Sequence, residues 1–465
     1  MSERRCMHML RRKIMDDLIE WRSEPNRKPL LIKGQRQVGK TFIIREFAKT
    51  YEHSVYFDLS RDAEARKIFD GDLGTDRITT AMEIVSPGSV LTPGKTLIIL
   101  DEIQGCPRAR TALKSFAEDG RYDVIASGSL LDAALKEDGK NRSPELVPVG
   151  YEKQMRMYGL DFEEFLWAAG YSEKQTSALR KAVRGREPLS DTALETYQER
   201  FSEFMMTGGM PEAVSAFVSK EGMGRVSGIL TDIIASFRDD IAKYSPEEST
   251  LRIRKCFESI PCQLAETNRK FMWSRIDRGG PGSRNGLRTY SDALLWIEGA
   301  GIANCCYKLR EVASPVSIRK DPSQFKVYMS DTGMLINLMG PNALYAAYSK
   351  DDGFNQGALT ENIVAECLMK AGIEPCYYIN RKNPGRMELD FVADLGLETA
   401  VIEVKSGKDR EAPSLSKTMG DGRFQRRIMF ERSNIRTDGD GIEHYPIFAA
   451  AFIRDIAKPM PEMDL

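Results

Sequence analysis

Leu30-Leu31-Ile32-Lys33-Gly34-Gln35-Arg36-Gln37-Val38-Gly39-Lys40-Thr41 decides how the first third of the chain folds. A short apolar run enters a loop of the pattern G-x-x-x-x-G-K-[ST], and the residues from Thr41 to Tyr51 have helical spacing. Strand, glycine loop and helix in that order let successive backbone N–H groups and a helix N-terminus converge on phosphate oxygens. Gly34, Gln35, Arg36, Gln37, Val38 and Gly39 are therefore the candidate cradle of a nucleotide. Lys40 is the cation that reaches its β- and γ-phosphates, and Thr41 the hydroxyl that holds Mg2+.

Further along, Thr96 to Glu102 (TLIILDE) reads as a buried strand ending in two acids. Alone, such a pair is a solvated strand end. Behind the glycine loop, Asp101 is the carboxylate that contacts Mg2+ through water, and Glu102 the one that polarises the attacking water. Ser127 closes the next strand, DVIASGS, where a hydroxyl can sense the γ-phosphate. From Pro29 to Ser129 short apolar strands alternate with helices, the signature of an α/β domain with a parallel sheet. Ahead of it, Leu10, Ile14, Leu18 and Trp21 predict an amphipathic helix over 9–22.

The chain has 465 residues, room for roughly three domains. Its 67 Lys and Arg against 68 Asp and Glu leave a net charge of −1, so only local patches can argue for nucleic acid. Eight cysteines without a Cys-x-x-Cys pair, and three scattered histidines at 8, 53 and 444, argue against zinc sites, a disulfide framework and a histidine triad. No apolar run approaches the roughly 20 residues of a spanning helix. The charged N-terminus lacks a signal-peptide core, so a cytoplasmic protein without membrane contact is expected.

Residues 160–250 read as helices, a lid or spacer. Between Leu251 and Arg288 nine Lys or Arg stand against three acids, and the order helix, turn, helix, strand through Leu309 predicts a basic winged helix-turn-helix that binds DNA. The bland alternative is a solvated helical face or a protein–protein module. Ser314 to Pro322 reads as a linker. The predicted domains are 1–165, 166–250, 251–313 and 314–465.

In the last segment Asp390 is followed by Glu403-Val404-Lys405, and period-two alternation puts Glu403 and Lys405 on one strand face. These residues, with Glu361 on the preceding helix, resemble the PD-(D/E)xK restriction-endonuclease-like core, although an amphipathic hairpin with exposed charges has the same local pattern. The resemblance implies that Asp390, Glu403 and Glu361 bind a hard divalent cation and that Lys405 acts on water and on phosphorane charge. Both cleavage and binding without cleavage are compatible with it.

Five runs, KGQRQVGKT (33–41), ILDEIQ (99–104), ASGSLL (126–131), LDFEEFL (160–166) and TGGMPEAV (207–214), are similar to the prokaryotic AAA-superfamily ATPases, in particular the group with a C-terminal domain of unknown function. The resemblance implies ATP and Mg2+ as ligands, ATP hydrolysis and a possible homo-oligomer. Where that group often has an arginine after the glycine, this chain has Gly150-Tyr151, which leaves Arg121 and Arg156 as weak arginine-finger candidates. Two readings stand: an ATP-hydrolysing protein associated with DNA and carrying a nuclease-like domain, or a nucleotide-dependent signalling or assembly protein whose C-terminal domain binds a partner without cutting.

Overall fold

The computed structural model describes residues 10–129, 150–245, 247–266, 268–276, 286–349, 356–381, 386–407 and 413–457. Strands β1 (Leu30–Lys33), β2 (His53–Asp58), β3 (Thr96–Asp101), β4 (Asp123–Gly128) and β5 (Lys153–Arg156) form one parallel sheet in the order β2-β3-β4-β1-β5. Alternation sorts their side chains between two cores. Leu30, Ile32, Leu97, Ile99 and Ile125 enter one, and Leu31, Ile98, Leu100, Val124 and Ala126 enter the other. A sheet covered on both faces needs such continuously apolar strands. The glycine loop after β1 and the acid ending β3 leave the carboxyl edge of this sheet, where open α/β sheets place their ligands.

The N-terminal helix spans Ile14–Ser23 and buries Ile14, Leu18 and Trp21; Leu10 lies before it. Helices at Phe162–Ala168, Glu173–Gly185, Asp191–Thr207, Pro211–Val218 and Met223–Tyr244 follow the sheet. The first starts with a capping box, Asp161 accepting from the Glu164 N–H at 2.9 Å and Glu164 from the Asp161 N–H at 3.0 Å. Its Glu163 and Glu164 are buried because Lys13 and Arg12 pair with them at 2.7 and 3.1 Å. The resulting core runs from Ile14 to Ile456 and joins the helices to the C-terminal region.

The second sheet comprises β6 (Ala303–Leu309), β7 (Lys320–Met329), β8 (Cys376–Asn380), β9 (Met387–Leu395), β10 (Glu398–Val404), β11 (Arg426–Glu431), β12 (Arg436–Thr437) and β13 (Glu443–Pro446). Its order is β12-β13-β11-β10-β9-β8-β6-β7. Before it lie a helix at Glu247–Leu264, a 3-10 turn at Trp273–Arg275 and a helix at Gly286–Gly299. The hairpin β6–β7 stands where a wing would, but it is not free: β6 also pairs with β8. The linker expected over 314–322 is instead a 3-10 turn at Val316–Arg319 and the first residues of β7. Apolar residues of both flanks, Leu309, Val312, Val316 and Cys376 among them, share one core, which is why this stretch is ordered into the sheet. Among the described residues no helix is long and apolar enough to cross a membrane.

Candidate functional site

Two residues of the glycine loop, Gln37 (φ 63°) and Gly39 (φ 94°), are left-handed, and Gly39 caps the helix Lys40–Ala48. Only a residue without Cβ adopts the second conformation cheaply. The turn folds Lys40 back so that its Nζ donates to the carbonyls of Gly34 (2.8 Å) and Gln35 (2.9 Å). Burial pushes the Lys40 ammonium down to about 8, against the opposing charges of Glu102 and Asp101.

Asp101 is the hub of the site. Its Oδ2 accepts from the Thr41 hydroxyl (2.7 Å) and from Tyr56 (2.7 Å), and its Oδ1 accepts from Ser127. Ser127, expected to face a γ-phosphate, is fully buried and orients this carboxylate. Glu102 is left-handed (φ 53°) at the strand end, and its Oε2 accepts from Gln104 and, at 3.0 Å, from Ser129. Arg36, Lys40, Thr41, Phe42, Glu102 and Pro211 line a cavity of about 440 Å³. A hydroxyl and a carboxylate in contact beside a lysine are the hard oxygen donors and the cation that Mg2+ and a triphosphate need, so the residues fit both.

The loop is gripped from outside the sheet. Arg36 pairs with Asp240 at 2.7 Å and Gln37 donates to Ser236 at 3.1 Å, both on the helix Met223–Tyr244. Arg12 donates to the Val38 carbonyl at 3.0 Å and to that of Tyr158 at 2.6 Å. Burial pushes the Asp240 carboxyl up to about 6, Arg36 opposing and Glu102 adding to it. None of these contacts has a sequence signal, because partners from 26 to about 200 residues apart share no local pattern. Arg121 is paired with Asp119 (2.6 Å) and Asp76 (2.5 Å), and Arg156 lines a small cleft with Gly34, Ser129 and Gly301.

The four residues singled out near the C-terminus come together. Ile402 of β10 lies opposite Phe391 of β9, which brings Glu403 beside Asp390. The Val404 N–H donates to Asp390 Oδ2 at 2.9 Å, and Lys405 pairs with Glu403 Oε1 at 3.2 Å. Glu361 faces them from the helix Gln356–Lys370. Burial, with the charges of Glu403 and Glu361, raises the Asp390 carboxyl well above the usual carboxylate range. Burial also raises Glu403, with Lys405 opposing.

Two cations in this centre were not foreseen. Lys326 on β7 reaches Glu361 Oε1 at 2.8 Å, where Tyr328 also donates, and Arg269 pairs with Glu361 Oε2. Burial would raise Glu361, but Lys326 and Arg269 hold it below its ordinary value. A lysine inside the buried run Phe325–Met329 was the available signal, since a buried ammonium requires an acid. The cations are shared unequally: Lys326 and Arg269 both sit on Glu361, Lys405 sits on Glu403, and Asp390 takes the Val404 N–H. Among the described residues no group of three metal-ligating side chains is set to hold a metal ion. As built, the centre does not fit a divalent cation.

The basic stretch 251–288 is partly consumed inside the molecule. Arg269 faces Glu361, Arg275 pairs with Glu266, and Arg254 with Glu258 at 3.2 Å. Of this stretch, Lys270 faces further cations: burial pushes it down, and Arg381, Lys308 and Lys326 add to that, with Glu388 opposing. Asp331, which the sequence left as a strand end, caps the helix Thr332–Met339 and accepts the Gly209 N–H at 2.7 Å. That bond ties the TGGMPEAV run to the C-terminal sheet.

Residues 26–166 match the family described as AAA domain, and residues 198–344 and 356–446 match two families described as domains of unknown function. No curated protein matches the chain. Among solved structures, the Walker-type ATPase PABY2304 of Pyrococcus abyssi is similar at 14% identity, covering 71% of this chain and 96% of its own, with a TM-score of 0.42. The Aeropyrum pernix ORC1 protein in complex with DNA is similar at 14% identity over 73% of this chain and 91% of its own, TM-score 0.26. AMPPCP-bound DnaA from Aquifex aeolicus is similar at 13% identity over 62% of this chain and 86% of its own, TM-score 0.27.

Proposed function

The chain carries an AAA-type P-loop ATPase domain over residues 26–166, and from that premise we propose that it is a cytoplasmic, ATP-hydrolysing switch that works with DNA. The observation that carries the ATPase reading is the contact of Thr41 with Asp101, with Glu102 next in the chain. On binding, Lys40 exchanges the Gly34 and Gln35 carbonyls for phosphate oxygens. Thr41 and Asp101 would hold Mg2+, which neutralises charge on the transferring phosphoryl group. Tyr56 and Ser127 keep Asp101 oriented, and Glu102, released from Gln104 and Ser129, aligns the attacking water. Arg36 then has two claimants, phosphate and Asp240, so nucleotide occupancy is passed to the helix Met223–Tyr244. Arg121 is engaged by two acids, which supports an arginine supplied by a second copy in a homo-oligomer.

For DNA, the support is the cluster of Lys270, Lys308 and Arg381 beside the C-terminal centre, a concentration of cations suited to backbone phosphates. For an endonuclease-like C-terminal core, it is the order of a helix bearing Glu361, antiparallel β8, β9 and β10, and β11 parallel to β10. The salt bridges that already occupy Glu361 and Glu403 favour the second reading for this domain, binding without cutting. ATP turnover with and without duplex DNA tests the proposal. Turnover stimulated by DNA and lost in Lys40→Ala supports it, and turnover retained in Lys40→Ala overturns it.

A further inference from the structure

Between the helix Asp191–Thr207 and the C-terminal elements lies a cavity of about 460 Å³ that the nucleotide and DNA readings do not use. Its floor is apolar: Phe201 and Met206 from that helix, Leu359 from the helix Gln356–Lys370, and Ile447 and Phe448 from the 3-10 turn after β13. The floor is preformed, because Phe162 packs on Phe201 edge to face at 5.0 Å and on Phe448 at 6.4 Å. The volume falls within the about 300–1,000 Å³ of ligand sites.

The rim carries the opposite chemistry. Glu195 and Glu199, both exposed, stand four residues apart on the helix Asp191–Thr207, about 6 Å along its axis. Neither has an ion pair among the described residues, and at this spacing the two repel each other. The other charges near them are already met. Arg200 pairs with Glu203 at 2.6 Å, Arg432 donates to the Gln356 side chain at 2.5 Å, and Glu431 is engaged by His444 at 2.7 Å and Ser433 at 2.6 Å. Ala347 joins the lining from the helix Pro341–Ser349, on which Tyr345 and Tyr348 are 72% and 67% exposed. Aromatic faces attract ammonium and guanidinium groups, and tyrosine is enriched at protein interfaces.

We infer that this cavity is a docking site for a basic segment of another protein: an apolar side chain fills the floor, and two Lys or Arg flanking it pair with Glu195 and Glu199. Cations four residues apart on a helix, or two apart in an extended segment (about 6.7 Å), match the spacing of the two glutamates. Tyr345 and Tyr348 extend the surface beyond the cavity, which suits a peptide and not a small amine. The inference stands apart from the DNA and endonuclease-like readings.

The test selects random peptides displayed on phage against the full chain. The recovered peptides are then titrated by fluorescence anisotropy against wild type, Glu195→Lys/Glu199→Lys and Ser202→Trp. The tryptophan fills the cavity and leaves both glutamates in place, since the Ser202 hydroxyl serves only the Gln198 carbonyl of its own helix at 2.9 Å. The expected peptides carry two cations around an apolar residue. Both variants are expected to bind them at least about tenfold more weakly while keeping Lys40-dependent nucleotide binding. Recovery of no peptide, or of peptides whose affinity neither variant lowers, overturns the inference. Peptides without cations that are lost only in Ser202→Trp overturn it as well. A lower sedimentation coefficient of the chain alone in Glu195→Lys/Glu199→Lys assigns the face to a second copy and has the same consequence.

Discussion

Replacing Lys326 by Met removes the ammonium from Glu361 and leaves a carboxylate that is 2% exposed. At 2.8 Å and an effective dielectric of about 20, the attraction lost is on the order of 6 kcal/mol. Desolvation of both ions offsets much of that, and breaking a buried pair from one side costs about 3–5 kcal/mol. Arg269 and Tyr328 still hold Glu361 in the variant, so the lower end, about 3 kcal/mol, is expected. Glu361→Gln in the same chain removes the stranded charge, and the double variant is expected to recover about 2 kcal/mol of that loss. Urea unfolding followed by tryptophan fluorescence reads the cycle, because Trp273 packs on Phe325, the neighbour of Lys326, with ring centroids 5.5 Å apart. The pH dependence has a definite sign. Glu361 lies below its ordinary value, so its contribution is complete above the usual carboxylate range and is lost as pH falls through the lowered value. Without Lys326 that loss sets in at higher pH. A single-variant cost below about 1 kcal/mol, or strictly additive effects in the cycle, refutes the buried pair as the organiser of this centre.

Glu102→Gln is expected to keep nucleotide binding and lower turnover by about 10²–10⁴-fold, measured as single-turnover ATP hydrolysis, because it removes the group that aligns water. Asp240→Asn is expected to raise stability near neutral pH and flatten the stability profile between about pH 4 and 6. The raised carboxyl of Asp240 favours the folded chain below its unfolded value, and this advantage is lost as pH rises through about 6. Thermal unfolding across that range reads it, and an unchanged profile counts against the Arg36–Asp240 arrangement. Charge reversal at Lys270, Lys308 and Arg381 is expected to lower duplex affinity and reduce the salt slope by about 0.9 per lost phosphate contact. Reversal at Arg275, already paired with Glu266, is expected to leave both nearly unchanged.

Local periodicity and motif spacing determined the parts of this protein whose partners are close in sequence or imposed by backbone geometry. The glycine loop and its helix, the strand ending in Asp101 and Glu102, and the hairpin bearing Asp390 and Glu403 were legible because a turn or a period of two positions those residues without help from distant segments. The uses of Ser127, Arg269 and Lys326 were not. Ser127 was read as facing a phosphate and turns to Asp101, the end of the neighbouring parallel strand. Arg269, one of the nine basic residues read as a DNA-binding patch, is instead carried by a left-handed turn to an acid 92 residues away. Likewise β6 carries strand-like residues in isolation. Only its second hydrogen-bonded edge, on β8, decides that it belongs to an eight-stranded sheet and not to a free wing. The physical reason is common to all four: a buried polar group, charge or backbone edge has to be satisfied by whichever group the tertiary fold brings near, and that group leaves no mark on the local pattern.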